Sequence, residues 1–213
     1  MTTSSNRTPQ AISKVLRSRI TRLLASGESV GNGSPSWFAL DMATLAELRR
    51  GAGKEPGSVP GMWPIALPLL DGLFPSFVQP SLAERAVHHT LVLYATHRQG
   101  KNESVFTPDV SMGAAARRLA DSGLFSEEAV RRRFNYAATA QSLEELANHA
   151  RGLVTQFRTA GIGIDYGLLA ADLFIFGLPE STGKSSVRRQ WGRDYYRHAN
   201  VSLEDIDTVS PND

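Results

Sequence analysis

Residues 142–161 read SLEELANHARGLVTQFRTAG, and this stretch carries the clearest structural pattern in the chain. Ser142 and Glu145 have the spacing of a capping box that begins a helix, and Gly161 is placed to end it. The apolar residues between them share one face, namely Leu143, Leu146, Ala147, Ala150, Leu153, Val154 and Phe157. Apolar side chains at this spacing form a buried stripe, so the stretch predicts an amphipathic helix packed against a core.

Similar helical signals recur along the rest of the chain. Ser81 and Glu84 form another capping box, and Ser126 and Asp165 are placed as N-caps. The predicted helices cover 9–26, 34–50 with Ser34 as cap, 63–73, 81–99, 111–120, 126 onward, 142–161, 165–176 and 186–198. No segment alternates in the manner of a strand. The sequence therefore predicts an all-α fold of about nine helices with no significant sheet, arranged as two small helical bundles.

A polar, turn-rich segment at 101–109 predicts the boundary between these two bundles. The N-terminal bundle is expected to span 1–100 and the C-terminal bundle, which carries the arginine-rich faces, 101–198. Residues 199–213 contain four acidic residues and no Lys or Arg, and we expect this acidic tail to be disordered.

Composition excludes several classes of protein. The chain of 213 residues has no cysteine, which excludes disulfides and thiolate chemistry. No apolar run approaches ~20 residues, so no membrane span and no membrane partner are expected. The first ten residues lack the apolar region of a secretory signal, and the expected location is therefore cytoplasmic.

Three short patterns suggest chemistry and fail on context. Ser29 lies in a G-x-S-x-G string, but a helix rather than a strand precedes it. Gly183-Lys184-Ser185 resembles a phosphate loop without its upstream glycine. His88, His89 and His97 share one helix with no metal-binding spacing, and packing between helices explains His89 and His97 better. The sequence predicts a non-enzyme with no cofactor, no metal and no small-molecule substrate.

The basic residues are the most informative feature outside the core pattern. Of 23 basic residues 19 are arginine, which suits phosphate binding but also fits the codon usage of a GC-rich genome. Their placement favours phosphate. Arg189, Arg193 and Arg197 form a stripe along the last predicted helix, and Arg151 and Arg158 are predicted on the face opposite the apolar stripe.

Two alternatives stay open at this stage. Arg131–Arg133 have the spacing to pair with Glu127 and Glu128, which would make them part of a solvated helix face. Trp191, Tyr195 and Tyr196 could stack on bases, although their helical spacing favours a place in the core.

Seven motifs in order along the chain resemble one known family, and the match runs from about residue 10 to residue 197. They are LRRG at 48–51, HTLVLYATH at 89–97, SMGAAARRL at 111–119, AVRRRFN at 129–135, HARGLV at 149–154, IDY at 164–166 and VRRQWGRDYY at 187–196. The chain is similar to the CasB family, the small subunit of the type I-E CRISPR complex called Cascade.

This resemblance implies an all-helical, non-catalytic protein of antiviral defence. Its expected partners are the guide RNA and target DNA, other Cascade subunits and a second copy of itself in a head-to-tail pair. It would brace the guide–target duplex and hold the displaced DNA strand. The implied nucleic-acid-binding residues are Arg49, Arg50, Arg117, Arg118, Arg131, Arg132, Arg133, Arg151, Arg158, Arg188, Arg189 and Arg193, whereas Phe134 and Trp191 belong to the core. The alternative is a helical scaffold whose arginines contact acidic protein partners.

Overall fold

The structure, a computed structural model, describes residues 8–28, 40–73, 79–179 and 183–197. Over these ranges the chain is all α-helical, as predicted, and its only β contact is an isolated bridge between Phe106 and Ile164. The helices are α1 (Pro9–Glu28), α2 (Met42–Arg50), α3 (Trp63–Leu70), α4 (Leu82–Arg98), α5 (Met112–Asp121), α6 (Glu127–Thr139), α7 (Leu143–Ala160), α8 (Tyr166–Phe176) and α9 (Lys184–Tyr196), with a 3₁₀ turn at Pro60–Met62 before α3.

Most of the predicted helix ends are confirmed by their caps. At α4 the hydroxyl of Ser81 accepts from the backbone N–H of Glu84, and the Glu84 carboxylate accepts in return from the N–H of Ser81. At α7 only half of the predicted box forms, because Glu145 accepts from the N–H of Gln141 rather than from that of Ser142. Gly161 ends α7 with φ 68°, a conformation that costs glycine little.

Helix α4 lies at the centre of the fold. The face that the sequence predicts to point inward is buried, namely Ala83, Val87, Leu91, Tyr94 and Ala95. Ala86, His88, Thr90 and Val92 on the other sides of the helix are buried as well. The reason is that α2 and α3 cover one side of α4 while α7 and α8 cover another. A helix enclosed in this way loses the polar face that single-sided packing would leave.

Helices from both sides of residue 101 contribute to one hydrophobic core. The long helix α1 packs along α8, and α4 packs on both α7 and α8. Asp165 connects the start of α8 to the loop before α5, since its carboxylate accepts from the N–H groups of Leu168 and Asp109. The division into two bundles at residue 101 stays a prediction.

A three-helix unit of α5, α6 and α9 carries most of the C-terminal arginines. Its interior contains Phe134 stacked on Tyr195, with ring centroids 4.8 Å apart, and a buried Trp191 whose Nε1 donates to Asp172 at 2.7 Å. The core positions predicted for Phe134 and Trp191 are confirmed. Gly113 of α5 lies directly against the backbone of Trp191, where an added Cβ would collide with the Trp191 carbonyl oxygen.

Three predicted boundaries differ in the structure. Asp41 caps α2, which begins at Met42, and the predicted start at Ser34 lies outside the described residues. The spacing of Ala39, Met42, Ala43 and Ala46 predicts that these residues form the inward face of this helix. That prediction is wrong, because Met42 is 67% exposed while Leu45 and Leu48 are buried against the core. Burying two leucines removes more apolar surface from water than burying the alanines of the other face would. Helix α3 ends at Leu70, shortly after Pro68, and α9 begins at Lys184, two residues early.

The acidic tail and the segment that contains the G-x-S-x-G string are not covered by the described ranges. The predicted disordered tail from residue 199 and the G-x-S-x-G serine, Ser29, lie outside the described residues.

Candidate nucleic-acid interface

Six of the twelve predicted arginines are exposed and have no carboxylate within ion-pairing distance among the described residues. We call them the open arginines: Arg118 on α5, Arg131, Arg132 and Arg133 on α6, and Arg189 and Arg193 on α9. All six belong to the three-helix unit. A guanidinium with no protein partner can donate to an incoming anion without first giving up a bond.

The packing of each helix explains why these side chains point outward. Helix α6 buries Val130, Phe134 and Ala137, which leaves the three consecutive arginines Arg131–Arg133 outside the stripe. Helix α9 buries Val187, Trp191 and Tyr195 in the same manner. The alternative in which Arg131–Arg133 pair with Glu127 and Glu128 is not seen among the described residues, where Glu127 accepts from Arg117 at 3.1 Å.

Arg188 is half-buried and caps the carboxyl end of α6. Its Nε donates to the carbonyl oxygen of Ala138 at 2.6 Å, and its Nη2 donates to those of Thr139 and Ala140 at 3.4 and 2.8 Å. The last carbonyls of a helix have no partner within the helix, so a cation here satisfies them and meets the negative end of the helix dipole. Its neighbour Arg189 makes none of these bonds.

Arg117 is held by acidic residues on two helices. It forms an ion pair with Asp121 one turn later in α5 and reaches Glu127 in α6, while its guanidinium lies 5.8 Å from the centroid of the Tyr195 ring. The hydrogen bond to Asp121 raises the pKa of Arg117 above its ordinary value. This arginine therefore connects the helices of the three-helix unit.

Arg151 and Arg158 do not lie on the free face predicted for them. Nη1 of Arg158 donates to the Thr96 carbonyl at 3.2 Å and to the Gln99 side chain at 3.0 Å, so Arg158 ties α7 to the end of α4. Arg151 is half-buried and donates to Asn148 at 3.2 Å. The prediction failed because it placed solvent opposite the apolar stripe, whereas α4 and the loop before it flank α7 there.

The remaining predicted cations are also engaged. Arg49 lies 3.5 Å from the carbonyl oxygen of Ala95, and Arg50 forms an ion pair with Glu47. Arg197, the last member of the predicted stripe on α9, is paired with Asp194 at 2.8 Å. The stripe that is left open therefore consists of Arg189 and Arg193.

Two grooves meet at Asn148 on the surface of α7. The first, about 260 Å³, lies between α6 and α7 and is lined by Arg132, Arg133, Tyr136, Asn148, His149 and Gly152. The second, about 470 Å³, lies between α7, the start of α4 and the loop after α2, and Lys54, Arg85, His89, Glu144 and Arg151 contribute to its lining. In the second groove Arg85 forms an ion pair with Glu144.

The grooves contain residues that the sequence had not singled out. Tyr136 is 56% exposed and its ring stacks on that of His149, with centroids 5.9 Å apart. The signal was available, because Tyr136 falls outside the buried stripe of α6 and follows the arginine triplet by three residues. Lys54 gave no such signal, since only the fold brings its loop next to α7.

The histidines of α4 pack between helices, as predicted for His89 and His97. Nδ1 of His97 lies 2.9 Å from the Tyr166 hydroxyl, and burial lowers the pKa of His97 to about 4. Burial, reinforced by neighbouring His88, likewise lowers the pKa of His89 to about 4. Nε2 of His88 lies 2.9 Å from the Gly51 carbonyl oxygen. These rings are neutral parts of the interior at neutral pH.

The described residues around the phosphate-loop-like pattern and the histidines of α4 do not form a phosphate loop or a metal site. Gly183 and Lys184 open helix α9, and the element described before them is helix α8 rather than a strand. Across the residues described, no group of three or more His, Asp or Glu side chains is arranged to hold a metal ion. Every helix in the described ranges is too short or too polar to cross a membrane.

An all-helical chain whose C-terminal helices present unpaired arginines is thus the class of protein that fold and surface define. The family model for CRISPR-associated protein Cse2 matches residues 44–196, and the chain belongs to this Cse2 family.

Solved structures agree with that membership. The crystal structure of CasB from Thermobifida fusca has 30% sequence identity and a TM-score of 0.64, and the match covers 87% of this chain and 97% of that one. A Cse2-family protein of Thermus thermophilus shares the fold at 21% sequence identity and a TM-score of 0.61, and the match covers 87% of this chain and 97% of that one. A chain in a CRISPR RNA-guided surveillance complex shares the fold at 22% sequence identity and a TM-score of 0.64, and the match covers 92% of this chain and 99% of that one. No curated protein sequence matches the chain.

Proposed function

We propose that this protein is a non-catalytic small subunit of a type I-E CRISPR Cascade complex and that it holds nucleic acid by its sugar-phosphate backbone. The open arginines carry the proposal, because they are six cations on one three-helix unit with no acidic partner in the described part of the chain. Family membership, and the shared fold of a chain in an RNA-guided surveillance complex, support the assignment to such an assembly.

The open arginines are better candidates for phosphate contact than the other six predicted residues. Arg188, Arg158 and Arg117 already donate to carbonyl or carboxylate groups that hold helices together. Releasing Arg188 or Arg158 would take a donor from partly buried carbonyl oxygens, at a cost of about 1–3 kcal/mol for each buried group, and releasing Arg117 would break its ion pairs with Asp121 and Glu127. We therefore assign phosphate contact to the open arginines and a structural role to the engaged ones.

Binding of this kind reads charge and shape rather than sequence. Guanidinium contacts to phosphates position a protein on nucleic acid without distinguishing bases. In RNA-guided recognition base pairing supplies sequence specificity, and strand exchange is nearly balanced in free energy. A few phosphate contacts on the guide–target duplex and on the displaced strand are then enough to favour the opened state, in company with other subunits and a second copy of this chain.

The test compares two double variants that lose the same charge. Arg131→Ala/Arg132→Ala removes two open arginines, whereas Lys14→Ala/Arg50→Ala removes an exposed lysine of α1 and an arginine already paired with Glu47. Fluorescence anisotropy with a labelled single strand and a labelled duplex should show weaker binding for the first variant and little change for the second.

Two other outcomes would contradict the proposal in different ways. Equal weakening in both variants would mean that overall charge, and not the three-helix unit, attracts nucleic acid. Unchanged binding in both, together with unimpaired assembly and target capture by the complex, would favour the scaffold alternative, in which the arginines meet acidic protein surfaces.

A further inference from the structure

We infer that the groove between α6 and α7 binds one unstacked base of a single-stranded nucleic acid, with Tyr136 as the stacking surface and Arg132 and Arg133 on the flanking phosphates. The inference rests on the proposed function and adds a binding site and a preference for single strands over duplex.

The first observation is the exposure of an aromatic ring beside cations. The rings of Phe134, Trp191 and Tyr195 in the three-helix unit are buried, whereas Tyr136 is 56% exposed and Tyr196 50%. Arg132 and Arg133 line the same groove and are open arginines. Aromatic surfaces interleaved with cations are the combination that binds single strands, since bases stack on the rings while guanidiniums follow the backbone.

The second observation is that the Tyr136 ring is held in place. It stacks on His149 with 22° between the ring planes. Nε2 of His149 lies 3.6 Å from the carboxylate of Glu145, which is itself fixed by the backbone N–H of Gln141 at 2.7 Å. A ring that is already oriented loses less conformational freedom when a base stacks on it. Glu145 is the acidic group of this cluster, and it contacts His149, which in turn stacks on Tyr136.

The third observation concerns the floor of the groove. Gly152 lies within α7, where glycine is the least favourable residue except proline. A Cβ at this position would come within 3.3 Å of Nη1 of Arg133. Glycine therefore leaves room for Arg133 to lie across α7. The space of about 260 Å³ is many times the roughly 30 Å³ that one water molecule takes in the liquid.

These features select single strands for a simple reason. The bases of a duplex are stacked on one another, and their faces are inaccessible to Tyr136. An unpaired strand offers a free face at each base, and because all bases have such a face the preference is independent of sequence. Phosphate contact alone would treat both forms alike at equal charge.

The experiment separates base stacking from phosphate contact. Three labelled probes of equal length are used, namely oligo-dT, a backbone of abasic sugars with the same phosphates, and a duplex. Tyr136→Ala should weaken oligo-dT binding by roughly 5- to 100-fold and leave the abasic and duplex probes unchanged within about twofold. Tyr136→Phe should behave as wild type. Leu124→Ala, which removes another exposed apolar side chain of the C-terminal part, is the matched control.

The possible failures are distinguishable. If Arg132→Ala/Arg133→Ala weakens all three probes while Tyr136→Ala alters none, stacking is wrong and the proposed function stands. If neither variant changes the binding of any probe, the proposed function is wrong as well. If Tyr136→Ala instead abolishes binding of poly-glutamate that competes with oligo-dT, the groove belongs to an acidic protein partner.

Discussion

Nε of Arg188 in α9 donates a 2.6 Å hydrogen bond to the carbonyl oxygen of Ala138, which is the second-last residue of α6. Adjacent Arg189 is an open arginine and makes none of these hydrogen bonds. Two consecutive arginines thus have separate tasks, since one closes the carboxyl end of a helix and the other is available to an outside anion. This division of labour can be tested through stability.

Arg188→Ala should destabilise the protein by about 2–3 kcal/mol, because the carbonyl oxygens of Ala138 and Ala140 lose the donor that Arg188 supplies, whereas that of Thr139 keeps the side-chain amide of Gln141. Urea unfolding followed by circular dichroism measures the loss. Arg189→Ala is the matched control and should change the free energy of unfolding by less than about 0.5 kcal/mol. Equal effects of the two substitutions would mean that the α6 carbonyls are satisfied by water.

Replacing two glycines by alanine should change the stability of the protein in opposite directions. Gly113→Ala should destabilise the protein by about 1–3 kcal/mol, because the new methyl group would collide with the backbone of Trp191 and force α5 and α9 apart. Gly192→Ala should stabilise it by about 0.5–1 kcal/mol, because the added Cβ of this α9 residue meets nothing within 4 Å and alanine favours a helix. Thermal unfolding of both variants checks the pair, and a stabilised Gly113→Ala would contradict the close approach of the two backbones.

The buried ring of His97 should make stability fall in acid. Its pKa is about 4 in the folded protein, against about 6.5 in the unfolded chain, so the unfolded state binds the additional proton between these values. The stabilisation of the folded state that comes from the neutral His97 ring is complete above pH 6.5. It is lost as the pH falls towards 4, by up to about 1.4 kcal/mol per pH unit. Unfolding free energies of wild type and His97→Gln should therefore converge across this range.

Asp172 has the opposite effect on the pH dependence of stability. The effect of His97 is therefore measured as the difference in unfolding free energy between wild type and His97→Gln. Burial raises the pKa of Asp172 to about 7, so this residue favours the folded state when protonated and loses that contribution as the pH rises towards 7. The carboxyl is present in both proteins, so its effect cancels in the comparison. A difference that stays constant from about pH 7 to about pH 4 would show that His97 is not neutral in the interior.

Salt dependence should report how many open arginines contact phosphate. Each phosphate contact contributes about 0.9 to the slope of log affinity against log salt concentration on duplex DNA, and about 0.7 on a single strand. Arg189→Ala/Arg193→Ala should lower the slope by up to twice these values, whereas Arg50→Ala should leave it unchanged. The measurement is binding at a series of salt concentrations, and an unaltered slope for the double variant would remove α9 from the contact surface.

The sequence predicted the helices better than it predicted the roles of the arginines. Local caps such as Ser81 and Gly161 specify where helices begin and end, because their bonds are made within a few residues. The separation of Arg188 from Arg189 depends on where α6 ends in space relative to α9, which no local spacing encodes. The contact of Arg158 with α4 was missed for the same reason. The half-formed box at Ser142 is a local difference, in which Glu145 accepts from the N–H one residue earlier.

The bare contact between Gly113 and the Trp191 backbone has a mechanical consequence. With no side chain between them, α5 and α9 approach at a close distance that leaves little room for compression or sliding. The backbone positions that carry Arg118 and Arg193 consequently keep a constant separation. In the proposed complex the nucleic-acid chain, whose backbone torsions are soft, would then be the component that adjusts its curvature.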